Sequence, residues 1–330
     1  MRRFLLQIAP ILRLTRITTA FAAISNIWLV ILWTRAHPQE QAHSAGAHLA
    51  ETNLLLLLAG GAGAAVGLYA FGVALNDILD LKRDRLLRPE RPLAAGQISE
   101  RGAAIIVAVT LLIAILGATV FGVAGVQMTL LVAVGAMLYD AAGKFVPAIG
   151  LTLLGLVFAG HMAVANTGLI FIWPVWLVMT HSIIVGVATH LIGRRGPPLS
   201  RRAIVAVVIG WLAASGLIIT AGWVHGLREQ GLWPQWVSLW PAALIGGLMI
   251  GFAIISIRRV VRVGPGPRAA EKVGRYGSVC MSLYAVAWAL GEGLIGAAAI
   301  LGGLTLAGYL GMTALREAYN LAEHPLGYRR

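Results

Sequence analysis

An all-α, polytopic membrane bundle is the fold class this sequence predicts, and three observations predict it. Apolar residues fall in long blocks, many of about 20 residues, the length that crosses a bilayer as a helix. The composition is 58% hydrophobic and only 12% charged, with a mean hydropathy of +0.82, far too apolar for a soluble domain of 330 residues. The Lys and Arg residues gather in the short connections between the blocks. The length suits one membrane-embedded domain over residues 1–330, with nine or ten transmembrane helices.

Taken in order, the first helix is predicted over residues 14–33, with Arg13 and Arg16 at its head. Arg2 and Arg3 precede an apolar stretch that starts too late and runs too long for a cleaved leader, so it reads as a retained span. Residues 35–51 form a polar connection. Its His37, His43 and His48 have spacings that fit neither a helix face nor a usual metal-ligand pair, which favours a solvated loop. The second helix runs from residue 53 to Asp77 or slightly beyond, and Gly60, Gly61, Gly63 and Gly67 let it pack closely on a neighbour. Residues 82–101 are too charged to span and belong at the interface. Helices follow over 103–121, 124–139, 149–168, 171–193, 203–224 and 237–257, with Trp173 and Trp176 fitting an interfacial belt. A basic loop is expected over 258–275. The final apolar region, 276–315, is too long for a single span, so it holds either one helix with an interfacial or re-entrant piece, or two helices.

Charge supports this layout. With a cytoplasmic N-terminus, the basic clusters at 1–16, 82–101, 194–202 and 258–275, together with Lys144, all fall on the cytoplasmic side. Arg35 and Arg228 fall outside. Nine helices place the C-terminal Arg316, Arg329 and Arg330 outside as well, and ten place them inside. The net charge of +13 is thus explained by orientation and lipid headgroups, and nucleic-acid binding is excluded as a reading. The single Cys280 forms no internal disulfide.

The chemistry concentrates between Asn76 and Ser99. Asp77, Asp80 and Asp84 stand at i, i+3 and i+7, within an arc of about 60° on a continuous helix, with Asn76 beside it and Lys82 and Arg85 pointing away. Converging carboxylates repel unless a cation is shared. Hard oxygen ligands suit Mg²⁺, which takes one or two carboxylates plus substrate phosphate oxygens. A solvated acidic face is the plain alternative, but carboxylates closing an apolar helix are functional candidates by default.

The pattern Asn76-Asp77-x-x-Asp80-x-x-x-Asp84, followed by Arg91-Pro92-Leu93, Gly96 and Ile98-Ser99, resembles the first signature of the UbiA superfamily of intramembrane prenyltransferases. The resemblance implies that Asp77, Asp80 and Asp84 hold Mg²⁺ and that Asn76 serves the same metal and diphosphate motif. It makes Arg88 and Arg91 candidate diphosphate contacts, with phospholipid headgroups as their other reading. Lys144, after Tyr139, resembles the basic position that the family places after its fourth helix. Arg16 is either an acceptor-site residue or an interfacial arginine, and Asp140 either supports Lys144 or acts on the acceptor. The implied partners are a polyprenyl diphosphate, a lipophilic acceptor and membrane lipids.

One departure stands out. The family usually carries a second Asp-x-x-x-Asp motif after helix 6. Here residues 190–202 contain no acid, and no carboxylate lies between Asp140 and Glu229. Arg194 and Arg195 can replace a second metal as fixed positive charge. A divergent acceptor chemistry that needs only one metal is a second reading, and the rival is a non-catalytic isoprenoid-lipid binding or transport protein of the same fold. A phosphatidyl-alcohol transferase is excluded, because its paired Asp-Gly and Ala-Arg elements are missing. Among intramembrane polar residues, His190 stands where the second motif would begin, while His161, His181 and Glu292 read as helix contacts, with a proton-linked step or a helix break also open for Glu292.

Overall fold

A computed structural model describes residues 2–16, 19–42, 44–194 and 196–323. Its α-helices are α1 (Arg2–Thr15), α2 (Phe21–Ala36), α3 (Ser44–Glu51), α4 (Leu54–Leu79), α5 (Leu81–Leu87), α6 (Glu100–Ala118) and α7 (Gly122–Ala141). They continue with α8 (Pro147–Ala163), α9 (Trp173–Ile192), α10 (Arg201–Gly222), α11 (Arg228–Gln230), α12 (Trp240–Val263), α13 (Pro267–Gly291) and α14 (Ile295–Glu323). Among the described residues there is no strand. Among the described residues, six helical stretches are long and apolar enough to cross a membrane, one of them the α6–α7 pair, and α2 and α8 are shorter apolar helices.

The helix starts follow local chemistry. Asn53 caps α4, its Oδ1 accepting from the Leu55 and Leu56 amides at 2.9 and 3.3 Å. Ser99 and Ser200 cap α6 and α10 in the same way. Proline opens α8, α9, α12 and α13, where its missing N–H costs nothing.

The helix α2 forms the centre. It is apolar all round, and α4, α8, α13 and α14 pack against it, burying Ile27, Ile31 and Trp33. The outer helices carry exposed large apolar side chains such as Leu112, Leu131, Leu212 and Ile254. A surface of this kind is stable against lipid tails and not against water. On α4 and α6, small residues bring two backbones together. A Cβ added at Gly117 would lie 2.4 Å from the Ala64 amide nitrogen, and one at Gly67 would lie 2.5 Å from that of Ala114. Gly117→Val is therefore expected to wedge α4 from α6 and cost about 1–3 kcal/mol, read as a lower thermal midpoint in detergent.

On the face away from the acidic motif, Glu40 is fully buried and accepts the Ile170 and Phe171 amides at 2.8 Å each. Burial raises its carboxyl above the usual range, and those two amides partly offset the rise.

The structure departs from the sequence expectation at the first helix, the basic loop and the 35–51 connection, and it divides the final apolar region, left open between one helix and two, into two. The predicted first helix is two elements, because the chain turns at Arg16, whose φ is +45°, within the stretch Thr15-Arg16-Ile17-Thr18-Thr19 that is poor in strong helix formers. The expected basic loop at 258–275 is mostly helix. Arginine is a good helix former, so α12 runs through Arg258, Arg259 and Arg262 to Val263, and Gly264 (φ +81°) ends it before α13 starts at Pro267. The final apolar region is two helices, α13 and α14, broken at Glu292 and Gly293 (φ +73°). The connection at 35–51 is likewise ordered, with α3 and a short 3-10 turn. His37 and His48 bond separate backbone carbonyls there, those of Trp33 and Val120, and His43 lies outside the described residues.

Candidate functional site

The acidic motif sits at the end of α4, but not on one continuous helix. Asp80 terminates α4 with φ −88° and ψ 1°, and Asp84 belongs to α5. The single-face arc therefore stops at Asp80, and cations fix where each carboxylate goes. Arg91 Nη1 donates to Asp77 Oδ1 at 3.0 Å and to Asp84 Oδ2 at 2.5 Å. Arg16 donates to the same Asp77 oxygen at 3.2 Å. Lys144 Nζ lies 2.9 Å from Asp80 Oδ1 and 3.0 Å from Asn76 Oδ1. The four side chains of Asp77, Asp80, Asp84 and Arg91 are mostly removed from solvent.

Each cation is delivered by a specific local device. Arg16 occupies the left-handed region, which costs a non-glycine residue roughly 1–2 kcal/mol. The Thr19 amide and Oγ1 both donate to the Arg16 carbonyl, at 2.9 and 2.8 Å, and hold that turn. Lys144 lies in the one-turn corner between α7 and α8. That corner is tight because Gly150 has no side chain: an added Cβ would lie 2.1 Å from the Gly143 carbonyl oxygen. Arg91 follows α5 in a chain of turns whose Leu93 is buried with Leu14, Ala74, Leu81 and Ala103.

These groups surround the mouth of a cavity of about 530 Å³, a volume usual for ligand sites. Asn76, Asp80, Asp84, Asp140, Arg88 and Lys144 line its charged end, with Arg16, Arg83, Arg91 and His190 beside them. Leu68, Ala136, Val132, Leu154, Val157 and Phe158 line most of the rest, with Tyr69, Tyr139 and His161, whose Nε2 lies 3.4 Å from the Ala65 carbonyl. The cavity thus changes from charged to apolar along its length.

Of the residues expected from sequence, Asn76, Asp80, Asp84, Arg88, Arg91 and Lys144 all reach this cavity, as do Arg16 and Asp140. Asp77 does not line it; it lies behind, tied to Arg16 and Arg91. Arg194 is exposed and absent from the lining, although Gly196 is part of it, and Arg195 lies outside the described residues. Lys82 and Arg85 point away as expected, and Arg85 pairs with Glu100 at 2.9 Å. His181 bonds the Gly277 carbonyl and Tyr284 across α9 and α13, and Glu292 accepts the Ser238 amide at the α13–α14 break. Sequence reading missed Tyr69, Arg83 and Phe158. Tyr69 and Val73 precede Asn76 by seven and three residues, so the motif's own helix face pointed to them.

Among the described residues, no three His, Cys, Asp or Glu side chains form a ready metal cage. The donors present are hard oxygens of Asn76, Asp80 and Asp84 at a mouth open to a ligand. That set fits Mg²⁺, which characteristically takes only one or two carboxylates and completes its shell from substrate and water. It does not fit a three-carboxylate site including Asp77.

Fold and cavity together define an integral, multi-pass helical membrane protein with an amphipathic interior cavity. The model of the UbiA prenyltransferase family matches residues 41–270. This chain belongs to that family. A solved structure concerned with digeranylgeranylglyceryl phosphate synthase in membranes is 17% identical, with a TM-score of 0.51 over 87% of this chain and 98% of that one. A UbiA homolog from Archaeoglobus fulgidus is 14% identical, with a TM-score of 0.50 over 84% of this chain and 98% of that chain. At these identities the likeness establishes the fold. No curated protein matches the chain by sequence.

Proposed function

We propose that this protein transfers a prenyl group from a polyprenyl diphosphate to a lipophilic, aromatic acceptor within the membrane. The observation that carries the reading is the cavity with one charged and one apolar end, because a prenyl diphosphate has the same division. Membership of a prenyltransferase family supports the class of reaction.

In this reading Asn76, Asp80 and Asp84 would hold Mg²⁺, which supplies Lewis-acid neutralisation of the leaving diphosphate. Binding exchanges ion pairs. The mouth already matches its carboxylates with cations, so Lys144 and Arg91, freed from Asp80 and Asp84, meet the phosphoryl oxygens through charge-assisted hydrogen bonds. Arg88 stands at the mouth to add another. The allylic C–O bond then breaks, and both electrons leave with the diphosphate. The acceptor's electron pair forms the new bond to the allylic carbon, and the acceptor gives up a proton to Asp140, a carboxylate of the lining. The apolar walls keep water from capturing the cation first. Asp77 acts as a positioning residue for Arg16 and Arg91.

The N-terminus and the charged mouth face the cytoplasm in this reading, and the whole chain acts as one domain of nine or ten spans. Arg194 and Arg195 would supply, as fixed positive charge, what a second metal on the missing acidic motif supplies. That missing motif is the specific observation favouring the rival reading, a lipid-binding or transport protein. The deciding experiment incubates the reconstituted protein with labelled geranylgeranyl diphosphate and a lipid-quinone extract. Mg²⁺-dependent transfer of label into a lipophilic product identifies the acceptor. Binding of the diphosphate with no labelled product establishes the rival.

A further inference from the structure

A second cavity, of about 400 Å³, lies beside the inner part of the first, across the α7–α8 seam, and is lined almost wholly by apolar side chains, among them Met128, Leu131 and Leu217. Val132 of α7 and Val157 of α8 line both cavities. They stand in crossed slots made by glycines. A Cβ at Gly160 would lie 2.9 Å from Val132 Cγ2, and one at Gly135 would lie 2.9 Å from Val157 Cγ2. Each valine therefore occupies space that the opposite helix leaves open. Valine in a helix has one strongly preferred rotamer, so this divider does not swing aside as a leucine or methionine would.

We propose that Val132 and Val157 form the septum that sets the length of prenyl tail this protein accepts, and that the second cavity is the space a longer tail enters when the septum is removed. The inference rests on the prenyl-diphosphate reading above. At about 1.5 Å per residue along α7, Val132 stands about 12 Å from Asp140 and Met128 about 18 Å from it. A tail anchored by its diphosphate at the charged mouth and extending along this axis runs against the two valines, which wall it off from the second cavity. What lies behind them is apolar, as a tail requires, and offers few polar groups to recognise a headgroup or a polar acceptor.

The test compares kcat/KM for geranyl, farnesyl and geranylgeranyl diphosphates in wild type, Val157→Ala, Val132→Ala and Val157→Phe. Removing methyl groups from the septum is expected to raise the ratio of long to short substrate about tenfold, and the phenylalanine to lower it by a similar factor. In parallel, geranylgeranyl diphosphate carrying a diazirine on its terminal isoprene unit is bound and irradiated. Expected is labelling that stops at the septum in wild type and moves to peptides containing Met128–Leu131 or Leu217 in the alanine variants. Turnover with an unchanged length ratio and unchanged labelling in both alanine variants overturns the septum and leaves the transferase reading standing. Failure of the wild type to bind or turn over any of the three diphosphates overturns both.

Discussion

Replacing Arg91 with alanine is expected to destabilise the protein by about 3–5 kcal/mol, the usual cost of removing one partner from a buried ion pair. One nitrogen of this side chain holds both Asp77 and Asp84, and Arg91 itself is only 16% exposed. Its loss leaves Asp84 without that cation and Asp77 with Arg16 still beside it, in a part of the fold where uncompensated charge is expensive. The loss appears as a lower thermal midpoint in detergent and as diphosphate turnover reduced at least about a hundredfold, since the same guanidinium lines the cavity. The double variant Arg91→Ala/Asp84→Asn separates the two effects. It is expected to recover much of the stability, because the orphaned charge is gone, and none of the turnover. A single Arg91→Ala protein with wild-type stability would show that Asp84 finds water or another cation easily, and that the cluster is looser than its distances.

Asp80→Asn is expected to act in the opposite way, costing activity and sparing the fold. Asparagine keeps the shape, and Lys144 retains its contact with Asn76 Oδ1 at 3.0 Å. The expected loss in kcat is about 10²–10³-fold, the scale of removing one preorganised electrostatic contact at a reacting centre, with a thermal midpoint near wild type. Lys144→Met gives the complementary outcome: it leaves Asp80 unpaired, so turnover falls and the midpoint falls with it. Equal turnover in Asp80→Asn and wild type would remove Asp80 from the chemistry.

The helices and the acidic motif were legible in the sequence because both depend on local pattern. Apolar blocks near 20 residues set α4, α9 and α10 to within a few residues, and the motif duly closes α4. Three things were not legible. The break at Asp80 depends on how the turns around Leu93 pack under α4, which the i, i+3, i+7 spacing does not encode. The continuation of α12 through its arginines was hidden because charge marks the membrane boundary without ending the helix. The pairing of Asp77 with Arg16 joins residues 61 apart in the chain, and spacing says nothing about such contacts. Gly135 and Val157, and Val132 and Gly160, also lie far apart in the chain and meet across α7 and α8, so a septum there emerges only from packing.

The most direct single measurement is diphosphate release from geranylgeranyl diphosphate by the protein reconstituted in lipid, with and without Mg²⁺, beside Asp80→Asn. The central claim is that the charged mouth formed by Asn76, Asp80, Asp84, Arg91 and Lys144 breaks the allylic C–O bond. It predicts release that requires Mg²⁺ and drops at least about a hundredfold in the variant. Diphosphate bound by the wild type but released no faster than by Asp80→Asn would contradict it, and would make the cavity a holder of isoprenoid lipids.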